Sequence, residues 1–271
     1  MTYFGFLLRF LVLPILILLG VTYWNHRRGR KRALSLQGTS IGLAIGIHVL
    51  IAVVYTTPWD NYLVATGVWW YDPALVTGIV IGWVPIEEYT FFVLQPILVG
   101  LWLVLLAQVL EFGAGPLRAS LRWWSPLLMG VLWIGSVFIL FSGKQASTYM
   151  ALLLAWSLPP LMLQLAFGAD ILWRYRRIVF LSIVPLTLYL ITADALAISF
   201  GTWTIDPAQS FNIFIAGTLP IEEFAFFLMT NTLLTSGIVL IWAEESHERL
   251  TVYREWLQKK LSKTEHAIPE P

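Results

Sequence analysis

The sequence predicts an all-α membrane protein of about seven transmembrane helices, set out as two parallel three-helix repeats joined by a linker helix. Three observations carry this. The chain has 271 residues of which 58% are hydrophobic and 12% charged, about half the usual charged share of a soluble domain. Apolar stretches of about 20 residues recur along it, each long enough to cross a hydrocarbon core of roughly 30 Å. An acidic motif, P-I-E-E, occurs twice inside apolar sequence, at Pro85–Glu88 and Pro220–Glu223.

The predicted spans are about 3–24, 34–56, 76–109, 125–142, 147–170, 178–200 and 210–242. The first continues to Trp24 and ends in arginines with no small-residue cleavage site, so it reads as a retained span rather than a signal peptide. Of 17 Lys and Arg, 15 fall in four clusters: Arg27–Arg32, Arg118 with Arg122, Arg174–Arg177, and the tail from Arg249 to Lys263. With the N-terminus outside, every cluster lands on the cytoplasmic side of a cell membrane, as the positive-inside rule asks. The acidic connectors 57–73 and 201–208 then lie outside. Trp59, Trp69, Trp70, Trp123, Trp124 and Trp203 lie near span ends, as in an interfacial aromatic belt. The tail after Glu244 reads as a charged cytoplasmic surface helix. Without cysteine, neither disulfides nor thiolate metal sites are available.

The third and seventh spans are too long for one untilted helix. Each holds a proline part-way, Pro85 and Pro220. Either the spans are kinked there, or helices begin at the prolines and the segments 74–84 and 208–219 are interfacial or re-entrant. The sequence leaves both open.

These two regions are copies. Asp60, Gly67, Trp69, Asp72-Pro73 and Pro85-Ile86-Glu87-Glu88-Tyr89-Thr90-Phe91-Phe92 match Asp194, Gly201, Trp203, Asp206-Pro207 and Pro220-Ile221-Glu222-Glu223-Phe224-Ala225-Phe226-Phe227. The offset is 134 residues up to the Asp-Pro and 135 after it, so one residue is inserted between. Such identity in one register predicts an internal duplication. Residues 1–110 form a first repeat, 111–146 a linker with the fourth span, 147–242 a second repeat, and 243–271 a charged tail. An odd span between the repeats makes them parallel, related by an axis along the membrane normal.

A charged residue within a span costs roughly 2.5 kcal/mol or more at the bilayer centre and marks a functional candidate. Glu87, Glu88, Glu222 and Glu223 are four such residues in adjacent pairs. Neighbours on a helix point about 100° apart, so one of each pair is free to face the interface between repeats while the other finds a helix or backbone partner. An apolar site disfavours carboxylate charge, which makes a buried pair a natural holder of one proton, as a general acid requires. The plainer reading is a helix start: proline first and glutamates in the first turn suit the helix dipole. Phe91, Phe92, Phe226 and Phe227 follow the glutamates by four residues, where their faces would stabilise a carbocation or simply pack. Asp60, Asp72, Asp194 and Asp206 read as caps at span ends, and His48 as a hydrogen-bonded packing residue. Gly113-Ala114-Gly115-Pro116 reads as a turn without the strand–turn–helix context of a phosphate loop.

The doubled P-I-E-E-[YF]-x-F-F with its upstream G-x-W-x2-D-P resembles the integral-membrane carotenoid cyclases, in the form that fuses two homologous polypeptides in one chain. The resemblance runs from about residue 5 to 242. It implies closure of the linear ψ end of lycopene into a β-ionone ring, a redox-neutral isomerisation in carotenoid biosynthesis. Glu87, Glu88, Glu222 and Glu223 would carry the proton transfers, with Phe91, Phe92, Trp69, Trp203, Phe226 and Phe227 against the substrate. No flavin or other cofactor and no nucleic acid is expected; the partners are the carotenoid and membrane lipid, with homo-oligomerisation left open. Alternatives are a cyclase of C50 carotenoids, a proton-coupled transporter, which also uses duplicated halves and intramembrane carboxylates, and a non-catalytic structural subunit. A prenyltransferase fits poorly, because Asp60 and Asp194 lack neighbouring cations for a diphosphate.

Overall fold

In the computed structural model, residues 1–110 and 116–265 are described; the turn reading at 113–115 lies outside them. Among the described residues, seven helices are long and apolar enough to cross a membrane. They are α1 (Tyr3–Arg27), α2 (Ile41–Ala65), α3 (Ile86–Val109), α4 (Leu121–Phe141), α5 (Thr148–Arg174), α6 (Arg176–Ser199) and α7 (Ile221–Trp242). A charged helix, α8 (Glu244–Glu265), follows directly.

Helices α3 and α7 form the buried centre, while α4 lies at the periphery against α5. That placement follows composition. The inner helices carry the polar groups that lipid would not solvate, such as Gln95 and Asn231, and these bond to each other and to Thr230 and Thr187. Helix α4 presents Trp123, Leu128, Val131, Phe138 and Phe141 outward, where an apolar solvent makes exposure harmless.

Neither long span is a kinked helix. Helices α3 and α7 start immediately after Pro85 and Pro220, whose rings fit at a helix N-terminus. The preceding segments fold as small antiparallel hairpins: β2 (Val80–Ile81) with β3 (Val84–Pro85), and β5 (Phe214–Ile215) with β6 (Leu219–Pro220). Their loops locate the inserted residue. The first has two residues between its strands, with Gly82 at φ +69°; the second has three, with Ala216 and Gly217 at φ +50° and +79°. A glycine tolerates this left-handed backbone without steric penalty.

A third ribbon joins the two halves. Strand β1 (Trp69–Tyr71) pairs antiparallel with β4 (Trp203–Ile205), so the two copies of the G-x-W segment bond to one another. Val68 and Thr202 extend the ladder by accepting from the Asp206 and Asp72 amides.

Helix α2 extends to Ala65, well past the predicted end at 56. Pro58 and the polar Asp60-Asn61 pair look like a connector, yet the helix passes through them. Thr57 Oγ1 and Asn61 Nδ2 bond back to the Val53 and Thr57 carbonyls, so the polar side chains flanking Pro58 are satisfied within the helix. Asp60 and Asp194 are therefore not caps at span ends; both are buried, inside α2 and α6. Asp72 and Asp206 cap no helix either: each accepts from the amide two residues on and closes a turn ahead of the hairpin. His48 is held in α2 through Nδ1 on the Ala44 carbonyl at 2.8 Å.

Candidate active site

Each P-I-E-E segment divides its two glutamates between two tasks. The first of each pair turns back to its own hairpin: Glu87 Oε1 accepts from the Thr77 amide and Glu222 Oε1 from the Phe211 amide, both at 2.7 Å. Each bond clamps the segment leading into the hairpin against the first turn of the helix. Glu222→Ala is expected to loosen that segment by about 1–3 kcal/mol, measured as faster hydrogen exchange at the Phe211 amide.

The second of each pair, about 100° round the helix, points into a chamber between the halves. Glu88 Oε2 accepts from the hydroxyls of Tyr3 and, at 3.0 Å, Tyr71. Glu223 Oε1 accepts from the Tyr149 hydroxyl at 2.7 Å. Asp60 lies beside Glu88 and Asp194 beside Glu223, and the Trp203 indole N–H donates to Asp194 at 3.0 Å. Both oxygens of Asp60 and Oδ2 of Asp194 are buried without a protein partner. Desolvation, with the Asp60 and Glu88 carboxyls close by, pushes the Tyr71 phenol well above its ordinary range, so it remains a neutral donor.

The chamber is a narrow cavity of about 50 Å³, and its lining brings together Asp60, Glu88, Asp194 and Glu223. Its remaining walls are aromatic apart from Ile205. Trp69, Phe91, Phe92, Trp203, Phe226 and Phe227 all line it; Glu87 and Glu222 do not. Lys, Arg and His are absent from its lining. Phe91 meets Phe227 edge to face at 6.2 Å between centroids, and Trp59 stacks over Phe226 at 6.1 Å.

Sequence reasoning missed Tyr3, Tyr149, Asp60 and Asp194 as parts of one site. A signal exists for each. Asp60 and Asp194 are in the duplicated pattern itself, and Thr2-Tyr3 and Thr148-Tyr149 repeat at the heads of α1 and α5.

A family model described as lycopene cyclase matches residues 2–106 and 146–245, two segments that leave out α4 and together contain every residue lining the chamber. The chain belongs to the lycopene cyclase family. Within it, a lycopene beta-cyclase of Halobacterium salinarum is 38% identical over 231 residues, covering 84% of this chain and 90% of the relative. Bifunctional lycopene cyclase/phytoene synthases of Gibberella fujikuroi and Colletotrichum graminicola are 30% and 35% identical, over 70% of this chain. This chain spans about a third of those fungal relatives, 33% and 34%. No solved structure matches the chain.

Proposed function

We propose that this chain is a lycopene cyclase of the multi-pass membrane type, closing the linear ψ end of its substrate into a β-ionone ring by acid catalysis. The observation that carries the reading is the convergence of four carboxyls, two from each half, on one aromatic chamber. Four carboxyls facing an apolar space without a cation in its lining cannot all be charged. Such a chamber holds both protonated acid and carboxylate, the two forms the reaction needs.

Ring closure begins with a proton delivered to the terminal double bond, which leaves a tertiary carbocation. The internal double bond supplies its electron pair to form the ring bond, and the charge moves into the ring. Loss of a ring proton to a carboxylate gives the β end group. One proton enters and one leaves, and no electrons are exchanged, so the class is isomerase (intramolecular lyase). Glu88 and Glu223 are the proton-carrying groups in this reading, with Asp60 and Asp194 as their nearest exchange partners. Glu87 and Glu222 are positioning residues that hold the hairpins over the chamber. The indole and phenyl faces stabilise the cation and exclude the water that would quench it. An apolar carotenoid already resides in the bilayer, which suits a site inside a helix bundle with its N-terminus outside and the Lys/Arg clusters cytoplasmic.

The test is pigment analysis of a lycopene-accumulating bacterial host that expresses the chain. Monocyclic or bicyclic carotene is the expected product. Unchanged lycopene beside correctly inserted protein would remove this reading for the C40 substrate, and a C50 linear carotenoid would be offered next.

A further inference from the structure

A second chamber lies beyond the carboxyl chamber, along the same helices. It is a slot of about 110 Å³ and shares Phe91, Phe92 and Phe226 with the first as a common wall. Its lining follows the helices away from the carboxyls turn by turn: Thr56, Ala52 and His48 on α2 below Asp60, and Trp156, Pro160 and Gln164 on α5 below Tyr149. From Asp60 to His48 is twelve residues of α2, roughly 18 Å at the helical rise of about 1.5 Å. Most polar groups here are tied to protein. His48 bonds to Ala44, Gln95 to Thr230 and Asn231, and Gln164 to the Leu233 carbonyl, with Gln164 Oε1 left unpaired at the far end. What faces the space is hydrocarbon and aromatic surface.

This chamber borders the lipid-facing surface. A shallow apolar groove between α2 and α5, lined by Leu50, Ile51, Val54, Tyr55, Trp59 and Trp156, adjoins it and shares Ile51, Tyr55 and Trp156 with it. Between groove and chamber stands an aromatic bridge. The Tyr55 hydroxyl donates to the Trp156 carbonyl at 2.9 Å, Trp59 Nε1 donates to the Leu152 carbonyl at 3.2 Å, and the two indoles stack at 4.4 Å. The matching seam between α1 and α6 has the same bridge, from the Tyr189 hydroxyl to the Phe10 carbonyl at 3.0 Å. At matching positions the two seams are similarly exposed: Tyr55 and Val54 at 41% and 64%, Tyr189 and Leu188 at 36% and 54%.

We propose that the second chamber is the binding site for the linear polyene chain behind the reacting end group, and that the chain enters it sideways from lipid between α2 and α5, past the Tyr55–Trp59–Trp156 bridge. The proposal rests on the cyclase reading and deepens it. A C40 polyene is far longer than the carboxyl chamber, so most of it must lie elsewhere; the apolar slot adjoining both the acid and the bilayer marks its course, and the α2–α5 seam parts around it.

Ala52 lines the second chamber, away from the carboxyls, and Ala52→Trp fills it. Purified wild type and variant are given lycopene and, separately, a shortened polyene with the same ψ end, cut just beyond the ring-forming carbons. Ala52→Trp is expected to lower lycopene turnover by about tenfold or more while short-chain turnover stays within about twofold of wild type. Ala52→Leu gives a smaller loss in the same direction, and decides the matter if the tryptophan variant fails to insert. Unchanged lycopene turnover in a well-folded variant, or equal loss on both substrates, overturns the proposal. A wild-type protein that closes neither substrate removes the cyclase reading itself, which separates the two failures.

Discussion

Glu88→Gln and Glu223→Gln are each expected to slow ring closure by about 10²–10⁴-fold, the usual worth of a positioned general acid or base. Glutamine preserves the shape. It still accepts from Tyr3 and Tyr71 at position 88, or from Tyr149 at position 223, so the helix start and aromatic walls remain. What it removes is a group that takes up and gives back a proton. The measurement is the rate of lycopene conversion by detergent-solubilised protein, with pigments separated by chromatography. Loss at one position alone would assign an essential proton transfer to that half of the molecule. Wild-type rates at both would sink the proton-transfer assignment, whatever the wild-type product. Glu87→Gln and Glu222→Gln serve as comparison, because their partners are the Thr77 and Phe211 amides rather than the chamber. They are expected to alter hairpin stability more than the chemical step.

That division of labour shows how far the sequence can be read. The spans are legible because the bilayer demands them: about 20 apolar residues and satisfied backbone leave a pattern that needs no tertiary information. The duplication is legible because identity in register survives without knowledge of the fold. Which glutamate faces inward is not legible, since helical phase fixes only their 100° separation and neighbouring helices set the zero. The hairpins before α3 and α7 are also hidden. Segments 74–84 and 208–219 are apolar enough to pass for helix, and the marks against helix are backbone ones: Gly78, Gly82 and Gly217 at positive φ. Asp60 is obscured by its neighbours, because Pro58 and Asn61 imitate a connector while the helix continues to Ala65. The carboxyl cluster emerges only when α2, α3, α6 and α7 are placed side by side. Tyr3 and Tyr149 likewise join it from helix ends whose partners lie 85 and 74 residues away.

Arg249→Met is expected to destabilise the fold by about 3–5 kcal/mol, the penalty for leaving one partner of a buried ion pair uncompensated. Arg249 on α8 grips α5 where that helix loses regularity at Gly168, whose φ of −153° breaks the α-helical geometry. Its guanidinium donates to the Phe167 carbonyl and, as a two-pronged pair at 3.1 and 2.7 Å, to Asp170. Asp170 is 2% exposed, and a fork-shaped guanidinium suits a carboxylate held in that way. A second contact sits nearby, Arg174 with Glu245 at 3.0 Å, and Glu245 also accepts from the Tyr175 hydroxyl. Removing Arg249 alone leaves a carboxyl and a main-chain carbonyl buried without this donor. Arg249→Met combined with Asp170→Leu removes both charges and is expected to recover most of the loss, since matched apolar pairs replace buried ion pairs at little penalty. Thermal unfolding in detergent reads both variants. An unchanged midpoint for Arg249→Met, or no recovery in the double variant, would show that the pair does not anchor α8. The consequence for activity is indirect: α5 carries Tyr149 to the carboxyl chamber and Trp156 to the lipid-facing seam. Loosening its C-terminal end is therefore expected to lower turnover only where heating also loosens the fold, with rates near wild type well below the unfolding midpoint.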